Sequence, residues 1–114
     1  MLNSGDVVQL DRGLPAGREA GFGHPAVVVS AQRILDAGPS VVHVVPLTSR
    51  IRRFGSEIRI DPDTSNRLDR PSAAQCQHLR ALSTARIDKV CGTVGTQTLT
   101  QVREVISVIL DLLG

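Results

Sequence analysis

Apolar residues along the chain fall into short runs separated by polar segments rich in glycine and proline. Residues 7–10, 26–29 and 41–47 have the length of strands and are rich in valine. The run 26–29 is apolar throughout, which predicts a strand buried on both faces. Residues 57–60 alternate polar and apolar positions, the pattern of a half-buried strand. These four segments predict a protein built largely from short strands.

The C-terminal segment has the periodicity of an amphipathic helix. Its apolar residues recur at three- and four-residue spacing: Leu99, Val102, Val105, Ile106, Ile109, Leu110 and Leu113. Thr98, with Gln101 three positions later, matches a capping box and predicts the start of this helix. Residues 72–82 are ambiguous, since the propensities of Ala, Gln, Leu and Arg favour a helix there.

Two connecting segments stand out by composition. Residues 11–25 carry four glycines and two prolines, and a loop of that length inside a small domain is typically functional. Residues 33–40, which include Gly38-Pro39, are predicted to turn the chain between two strands. Five short strands, long loops and one C-terminal helix together predict a small barrel-like sheet with a helix packed on it.

Composition narrows the class of protein. A chain of 114 residues forms one domain, and a net charge of +2 requires any basic site to arise from local clustering. Two cysteines form no disulfide framework, and no segment has the pattern of a signal peptide or membrane span, so a reduced, cytoplasmic, soluble protein is expected. Phe22 and Phe54 are the only aromatic residues, so Val, Ile and Leu must fill the core.

Four motifs occur in order along the chain. They are GDVV at residues 5–8, GREAGFGHPAVVVS at 17–30, VVPLTS at 44–49, and LDRPS at 68–72 followed by HLR at 78–80 and RI at 86–87. In this order and with these gaps they resemble the MazF/PemK family of toxin endoribonucleases over nearly the whole length. The resemblance is to the family's opening strand, its G-x-E-x-G-x-x-R-P loop, its Pro-Leu-Thr-Ser strand end and its later Gln-Leu-Arg block.

The resemblance implies a fold, an activity and partners. The fold is mostly β, a small SH3-like barrel of the MazF/CcdB type with a C-terminal helix, spanning residues 1–114 as a single domain. The activity is metal-independent cleavage of single-stranded RNA in a groove between the subunits of a homodimer, with no cofactor and no membrane. A cognate antitoxin would occupy the same groove with an acidic, flexible segment. For residues 72–82 the resemblance implies a strand, against the propensities.

Two departures from the family pattern install imidazoles. His24 stands where the family usually has Arg before Pro, and His78 stands where Gln usually precedes Leu-Arg. An imidazole, with an unperturbed pKa near ~6.5, can serve as acid or base at neutral pH, which is worth roughly 10²–10⁴ in rate. The arginine it replaces would supply electrostatic stabilisation of similar size.

The catalytic candidates are therefore His24, Thr48 and Arg18. His24 would be an acid/base or a phosphate contact, and Arg18, in the same loop, would replace the missing cation. The Thr48 hydroxyl would donate to a phosphate oxygen. A hydrogen-bonded structural histidine and an ordinary strand-ending threonine are the alternatives. Glu19 either orients these groups or is a solvated loop carboxylate.

A basic turn supplies the substrate-binding candidates. Arg50 and Arg53, with Arg52 between them, would contact phosphates, and Phe54 would stack on an unpaired base. Phe22 is a second candidate for stacking. In the alternative, both rings fold inward as loop anchors and the charges form a solvated face.

The family motifs add three further substrate-binding candidates, Ser49, Gln77 and His78. Metal binding is not expected, because Cys76 and Cys91 lack the paired spacing of a zinc site, even though Cys76 and His78 would share a face of an extended strand. His43, within V-V-H-V-V, is predicted to be a satisfied histidine of the sheet.

Two other functions fit the same fold. CcdB-type gyrase poisons share this barrel and inhibit a topoisomerase without catalysis, since fold does not determine function. An RNA-binding member that lost cleavage with the change from Arg to His is the other alternative. The glycine-loop and Pro-Leu-Thr-Ser motifs favour the nuclease.

Overall fold

Strands dominate the computed structural model, which describes residues 1–11 and 24–112. In chain order its elements are β1 (Asp6–Leu10), β2 (His24–Val28), α1 (Gln32–Asp36), β3 (Val41–Thr48), β4 (Glu57–Ile60), β5 (Ser72–Gln75), β6 (Arg80–Ser83), β7 (Ile87–Thr93) and α2 (Gly95–Ile109). Two 3₁₀ turns, Cys76–His78 and Thr84–Arg86, precede β6 and β7.

All pairings in the sheet are antiparallel, in the order β4-β5-β3-β2-β1-β7. Strand β3 is long enough to pair with two strands along one edge: its first half pairs with β6 and its end with β5. Within the described ranges the outermost strands, β4 and β7, do not pair with each other. The predicted class, mostly β with a C-terminal helix, is confirmed, while the sheet formed by these residues is open rather than closed.

Valine fills the interior on both faces of the central strands. Val7, Val27 and Val45 lie in one cluster with Val102 of α2. Their alternating neighbours, including Val8 and Val28, lie in a second cluster with Leu35 of α1. The predicted burial of residues 26–29 is confirmed for the first three of them, and a core of Val, Ile and Leu is confirmed with Ala and Cys76 added.

Two local predictions were wrong, and one strand was missed. Residues 33–40 were predicted as a turn, but α1 occupies Gln32–Asp36 and buries Leu35. Strand β7 was not predicted at all. The capping box at Thr98 was also wrong, because α2 begins at Gly95, where the Gly95 N–H donates to Thr93 Oγ1 at 3.2 Å. Gly95 adopts φ +85°, which lets the chain bend sharply out of β7 into the helix.

The ambiguous segment 72–82 is extended but interrupted. Leu47 pairs with Ala74, while Val44, three positions earlier in β3, pairs with Arg80, six positions further along the partner. Three residues are therefore extruded as the Cys76–His78 turn, and the Cys76 N–H donates to Ser56 O instead of to the sheet. The strand implied by the family is confirmed on either side of this turn, but Cys76 and His78 do not share a strand face.

Candidate functional site

His24 and Thr48 lie at the same end of neighbouring strands. Ala26 of β2 pairs with Pro46 of β3, and the same antiparallel register continued by two residues brings His24 opposite Thr48. Both side chains project from the face that carries Ala26 and Val28, and both are half-buried. On its other edge His24 pairs with Leu10 of β1. The sheet therefore brings together two of the three predicted catalytic residues.

A proline lies where the pairing of these two strands ends. Pro25 carries no backbone N–H, so it cannot donate to the ladder between β2 and β3. The paired residues stop at Ala26 and Pro46, two residues before His24 and Thr48 come opposite each other. Beyond that point β2 is held by β1 and the end of β3 by β5.

The Thr48 hydroxyl is oriented by the chain that follows it. The Arg50 N–H donates to Thr48 Oγ1 at 3.0 Å, a short turn that uses one lone pair of the hydroxyl oxygen. The hydroxyl hydrogen is then directed away from Arg50, where it can donate to another group. Ser49, between them, is exposed.

Residues 49–56 form a connection that crosses the sheet. Strands β3 and β4 both pair antiparallel with β5, which lies between them, so they run in the same direction. The connection must therefore return beside β5 before β4 begins. The side chain of Glu57 holds it there: Oε1 accepts the N–H groups of Arg52 and Arg53, each at 3.0 Å.

The basic turn, defined as residues 50–54, exposes its side chains to solvent. Arg50, Arg52 and Arg53 are exposed, and Phe54 keeps 52% of its surface accessible. The alternative that the Phe54 ring folds inward is therefore wrong. Arg53 has φ 61°, a left-handed conformation that is uncommon for a residue other than glycine. The stacking role of Phe54 and the phosphate-binding roles of the three arginines stay predictions.

Three predicted residues fall outside the described ranges. Arg18, Glu19 and Phe22 all lie in the glycine-rich segment between β1 and β2. Their proposed roles as cation, orienting carboxylate and stacking ring therefore stay predictions from the sequence.

Gln77 and His78 lie apart from Thr48. Both are exposed in the 3₁₀ turn, which packs against α2, β3 and β4, whereas the residue of this segment that pairs with Thr48 is Ala73. His43, the remaining histidine, is in β3 as predicted, with an exposed side chain, and its backbone N–H donates to Ser30 Oγ at 2.9 Å.

Two residues of β4 were missed. Thr48 pairs with Ala73, and Ala73 pairs on its other edge with Arg59, so one lateral row across the sheet links Thr48 to a guanidinium. Arg59 Nε lies 2.9 Å from Asp61 Oδ1 in an exposed ion pair. Glu57 projects from the same face of β4 as Arg59. The alternation of residues 57–60 in the sequence predicts that Glu57 and Arg59 share one face of a strand. It does not predict which residues of neighbouring strands lie beside them.

The remaining polar and reactive groups lie elsewhere. Burial raises the pKa of the Cys76 thiol from 9.0 to about 11, and its Sγ lies near the carbonyls of Ala74 and Val102, so it is a core residue.

A cavity of about 380 Å³ lined by Ile34, Val41, Ile106 and other residues lies between the two helices and β3. Among the described residues no cluster of three or more His, Cys, Asp or Glu side chains is arranged to hold a metal ion, and no helix is long and apolar enough to cross a membrane.

Known proteins resemble this chain in sequence and in fold. The profile of the family described as PemK-like, MazF-like toxin of type II toxin–antitoxin systems matches residues 3–110. Endoribonuclease MazF9 of Mycobacterium tuberculosis strain H37Rv is 32% identical over 117 residues, which covers 98% of both chains.

Solved structures agree in fold. A mycobacterial endoribonuclease in complex with its cognate antitoxin superposes with a TM-score of 0.77, covering 100% of this chain and 99% of that one at 17% identity. MazF of Deinococcus radiodurans gives 0.75, covering 96% of each chain at 22% identity. The match to the family over almost the whole length, on top of the motif order and the fold, shows that this chain belongs to the PemK-like, MazF-like toxins of type II toxin–antitoxin systems.

Proposed function

We propose that this toxin is an endoribonuclease that cleaves single-stranded RNA without a metal ion, with His24 and Thr48 at the scissile phosphate. The observation that carries the proposal is the strand register, which aligns His24 at the start of β2 with Thr48 at the end of β3, beside the basic turn. An endoribonuclease 32% identical over 98% of both chains supports the reaction class.

The reaction needs three contributions from the protein. The 2′-hydroxyl oxygen attacks the adjacent phosphorus, the bond to the 5′-oxygen breaks, and the products are a 2′,3′-cyclic phosphate and a free 5′-hydroxyl. His24 exchanges a proton with the 2′-hydroxyl or with the leaving 5′-oxygen. The Thr48 hydroxyl donates to a non-bridging phosphate oxygen, and a guanidinium, from Arg18 or from Arg59 in the lateral row, balances the charge that develops there.

The basic turn binds the flanking RNA. Its arginines meet phosphates, and the exposed Phe54 ring stacks on an unpaired base, which is worth roughly 1–3 kcal/mol. Recognition of this kind suits single strands, in which unstacked bases are accessible. Ser49, which is exposed beside Thr48, extends the same surface. Gln77 and His78 extend it at the turn whose Cys76 N–H donates to Ser56 O, next to the basic turn.

The proposed partners follow from the same surfaces. A cognate antitoxin covers the basic turn with an acidic, flexible segment, because opposite charge favours that pairing. The protein acts as a homodimer in the cytoplasm. Apolar side chains exposed at the C-terminal end of α2, among them Val108 at 77% and Leu112 at 64%, support self-association.

The test is cleavage of end-labelled single-stranded RNA in excess chelator. We expect discrete fragments carrying a 2′,3′-cyclic phosphate. His24→Ala should lower the rate at least a hundredfold, whereas His43→Ala, a matched change at an exposed histidine of the same sheet, should leave the rate within about twofold. A rate that depends on general acid–base catalysis should also change with pH between about 5 and 8.

Each other outcome points to a different function. A gel shift without fragments would identify an RNA-binding member that does not cleave. Neither a shift nor fragments would favour a topoisomerase inhibitor of the CcdB type. Cleavage that persists in His24→Ala with a flat pH profile would remove His24 from the mechanism while leaving the nuclease intact.

A further inference from the structure

We propose that Glu57 is a positioning residue that holds the basic turn in its RNA-binding conformation, an inference that rests on the proposed function. Two consecutive backbone N–H groups, from Arg52 and Arg53, converge on Glu57 Oε1 at 3.0 Å each. Consecutive N–H groups that converge in this way form a nest for an anion, and here the chain supplies the anion itself.

The turn needs such an anchor because of its backbone. Arg53 adopts a left-handed conformation, with φ 61°, which is unfavourable for a residue with a side chain. The Glu57 N–H also donates to Phe54 O at 3.0 Å, so one residue closes the turn through both its side chain and its backbone. Hydrogen bonds to an ionised carboxylate are about twice as strong as those between neutral groups.

The Glu57 carboxylate binds the backbone of the turn rather than a guanidinium. Within the described part of the chain no ion pair joins Glu57 to an arginine, and its second oxygen, Oε2, is buried without a hydrogen-bond partner there. Holding a partly buried negative charge with backbone N–H groups leaves the side chains of Arg52 and Arg53 exposed for RNA. The turn is thereby formed before RNA arrives, and less ordering entropy is lost on binding.

Two substitutions separate hydrogen-bond geometry from charge. Glu57→Gln keeps an oxygen at the same reach and removes the charge, while Glu57→Asp keeps the charge and withdraws it by one methylene. We expect Gln to bind and cleave within about threefold of wild type, and Asp and Ala to raise KM for a single-stranded RNA substrate about tenfold with kcat within about threefold. Glu104→Ala, at an exposed glutamate on α2, is the matched control and should change neither constant.

A fluorescence measurement tests the turn itself without RNA. The chain contains no tryptophan, so Phe54→Trp introduces a single reporter into the basic turn. In that background Glu57→Asp and Glu57→Ala should lower the emission anisotropy. Glu57→Gln should lower it less, because its oxygen still accepts both hydrogen bonds, and Glu104→Ala should leave it unchanged. If Glu57→Ala does not fold, the comparison of Gln with Asp carries the test.

The outcomes separate this inference from the proposed function. Unchanged anisotropy and KM in Glu57→Asp would overturn the proposed role of Glu57. Equal effects of Glu57→Gln and Glu57→Asp on anisotropy and KM would also overturn it, because they would assign the effect to something other than hydrogen bonds to the turn. Lower anisotropy for Glu57→Asp in the Phe54→Trp background, when the chain with Phe54 intact neither binds nor cleaves RNA, would support the anchor and reject the proposed function.

Discussion

Gly92 of β7 lies against a loop where no side chain fits. A Cβ atom built there would lie 2.3 Å from the Ser65 carbonyl oxygen and 2.9 Å from the carbonyl carbon and oxygen of Asn66. Ordinary contacts between such atoms are longer by about 1 Å. We therefore predict that Gly92→Ala destabilises the protein by forcing β7 and the loop 61–68 apart.

The loop cannot move aside because Asn66 holds it together. This residue is 2% exposed, its Oδ1 accepts from the N–H groups of Asp63 and Leu68, and its Nδ2 donates to Asp61 O. Overpacking of this kind costs about 1–3 kcal/mol, and loss of the hydrogen bond from Thr93 N to Ser65 O, 2.9 Å long, adds roughly 0.5–1.5 kcal/mol. The expected loss in the free energy of unfolding is about 2–4 kcal/mol.

Thermal and urea unfolding measure this loss. With an unfolding entropy of roughly 2.1 cal/mol/K per residue, a chain of 114 residues should lose about 8–16 °C in Tm. Gly55→Ala is the matched control, since nothing lies within 4 Å of a Cβ built there, and its Tm should stay within about 2 °C. A Gly92→Ala protein as stable as this control would refute the reasoning, because it would show that the loop shifts at little cost.

Three further predictions concern the core, the helix and the RNA surface. The Cys76 thiol has a pKa raised from 9.0 to about 11, so between these values the unfolded chain loses its proton while the folded chain keeps it. Stability should therefore fall as pH rises through this window, and urea unfolding of Cys76→Ala should show a shallower fall. Arg103 donates to the carbonyls of Val29 and Ser30 at 3.0 and 3.1 Å, and Arg103→Ala should cost about 1–2 kcal/mol of unfolding free energy, with Arg103→Lys recovering only part. Phe54→Ala should weaken binding of labelled single-stranded RNA by roughly 1–3 kcal/mol, and Phe54→Leu, which keeps apolar bulk without the ring, should not restore it.

Much of the fold follows from local pattern. The valine runs predicted β1, β2 and β3 because β-branched residues suit a strand and a continuous apolar run requires two covered faces. The spacing of Leu99, Val102 and Val105 predicted α2 because 3.6 residues per turn bring those residues to one side. Both signals reside in consecutive residues and need no knowledge of what packs against them.

Signals of this local kind do not predict the start of α2 or the extruded Cys76–His78 turn. The Thr98 capping box competes with Thr93, whose hydroxyl accepts from the Gly95 N–H and donates to Gly5 O at 3.3 Å once β7 has paired with β1. The Cys76–His78 turn exists because β3 pairs with β5 and β6 in registers that differ by three residues. Both the start of α2 and the Cys76–His78 turn are decided by contacts with residues distant in sequence.

The candidate site divides in the same way. By itself the sequence determined the family, the strand-forming valines, the amphipathic helix and the identities of His24, Thr48 and the basic turn, since each is written in a contiguous motif. Only the tertiary structure aligned His24 with Thr48, added Arg59 to their row and joined Glu57 to the backbone of the turn. Those relations depend on which strands pair and in which register, and register is set by burial across the whole sheet rather than by any one segment.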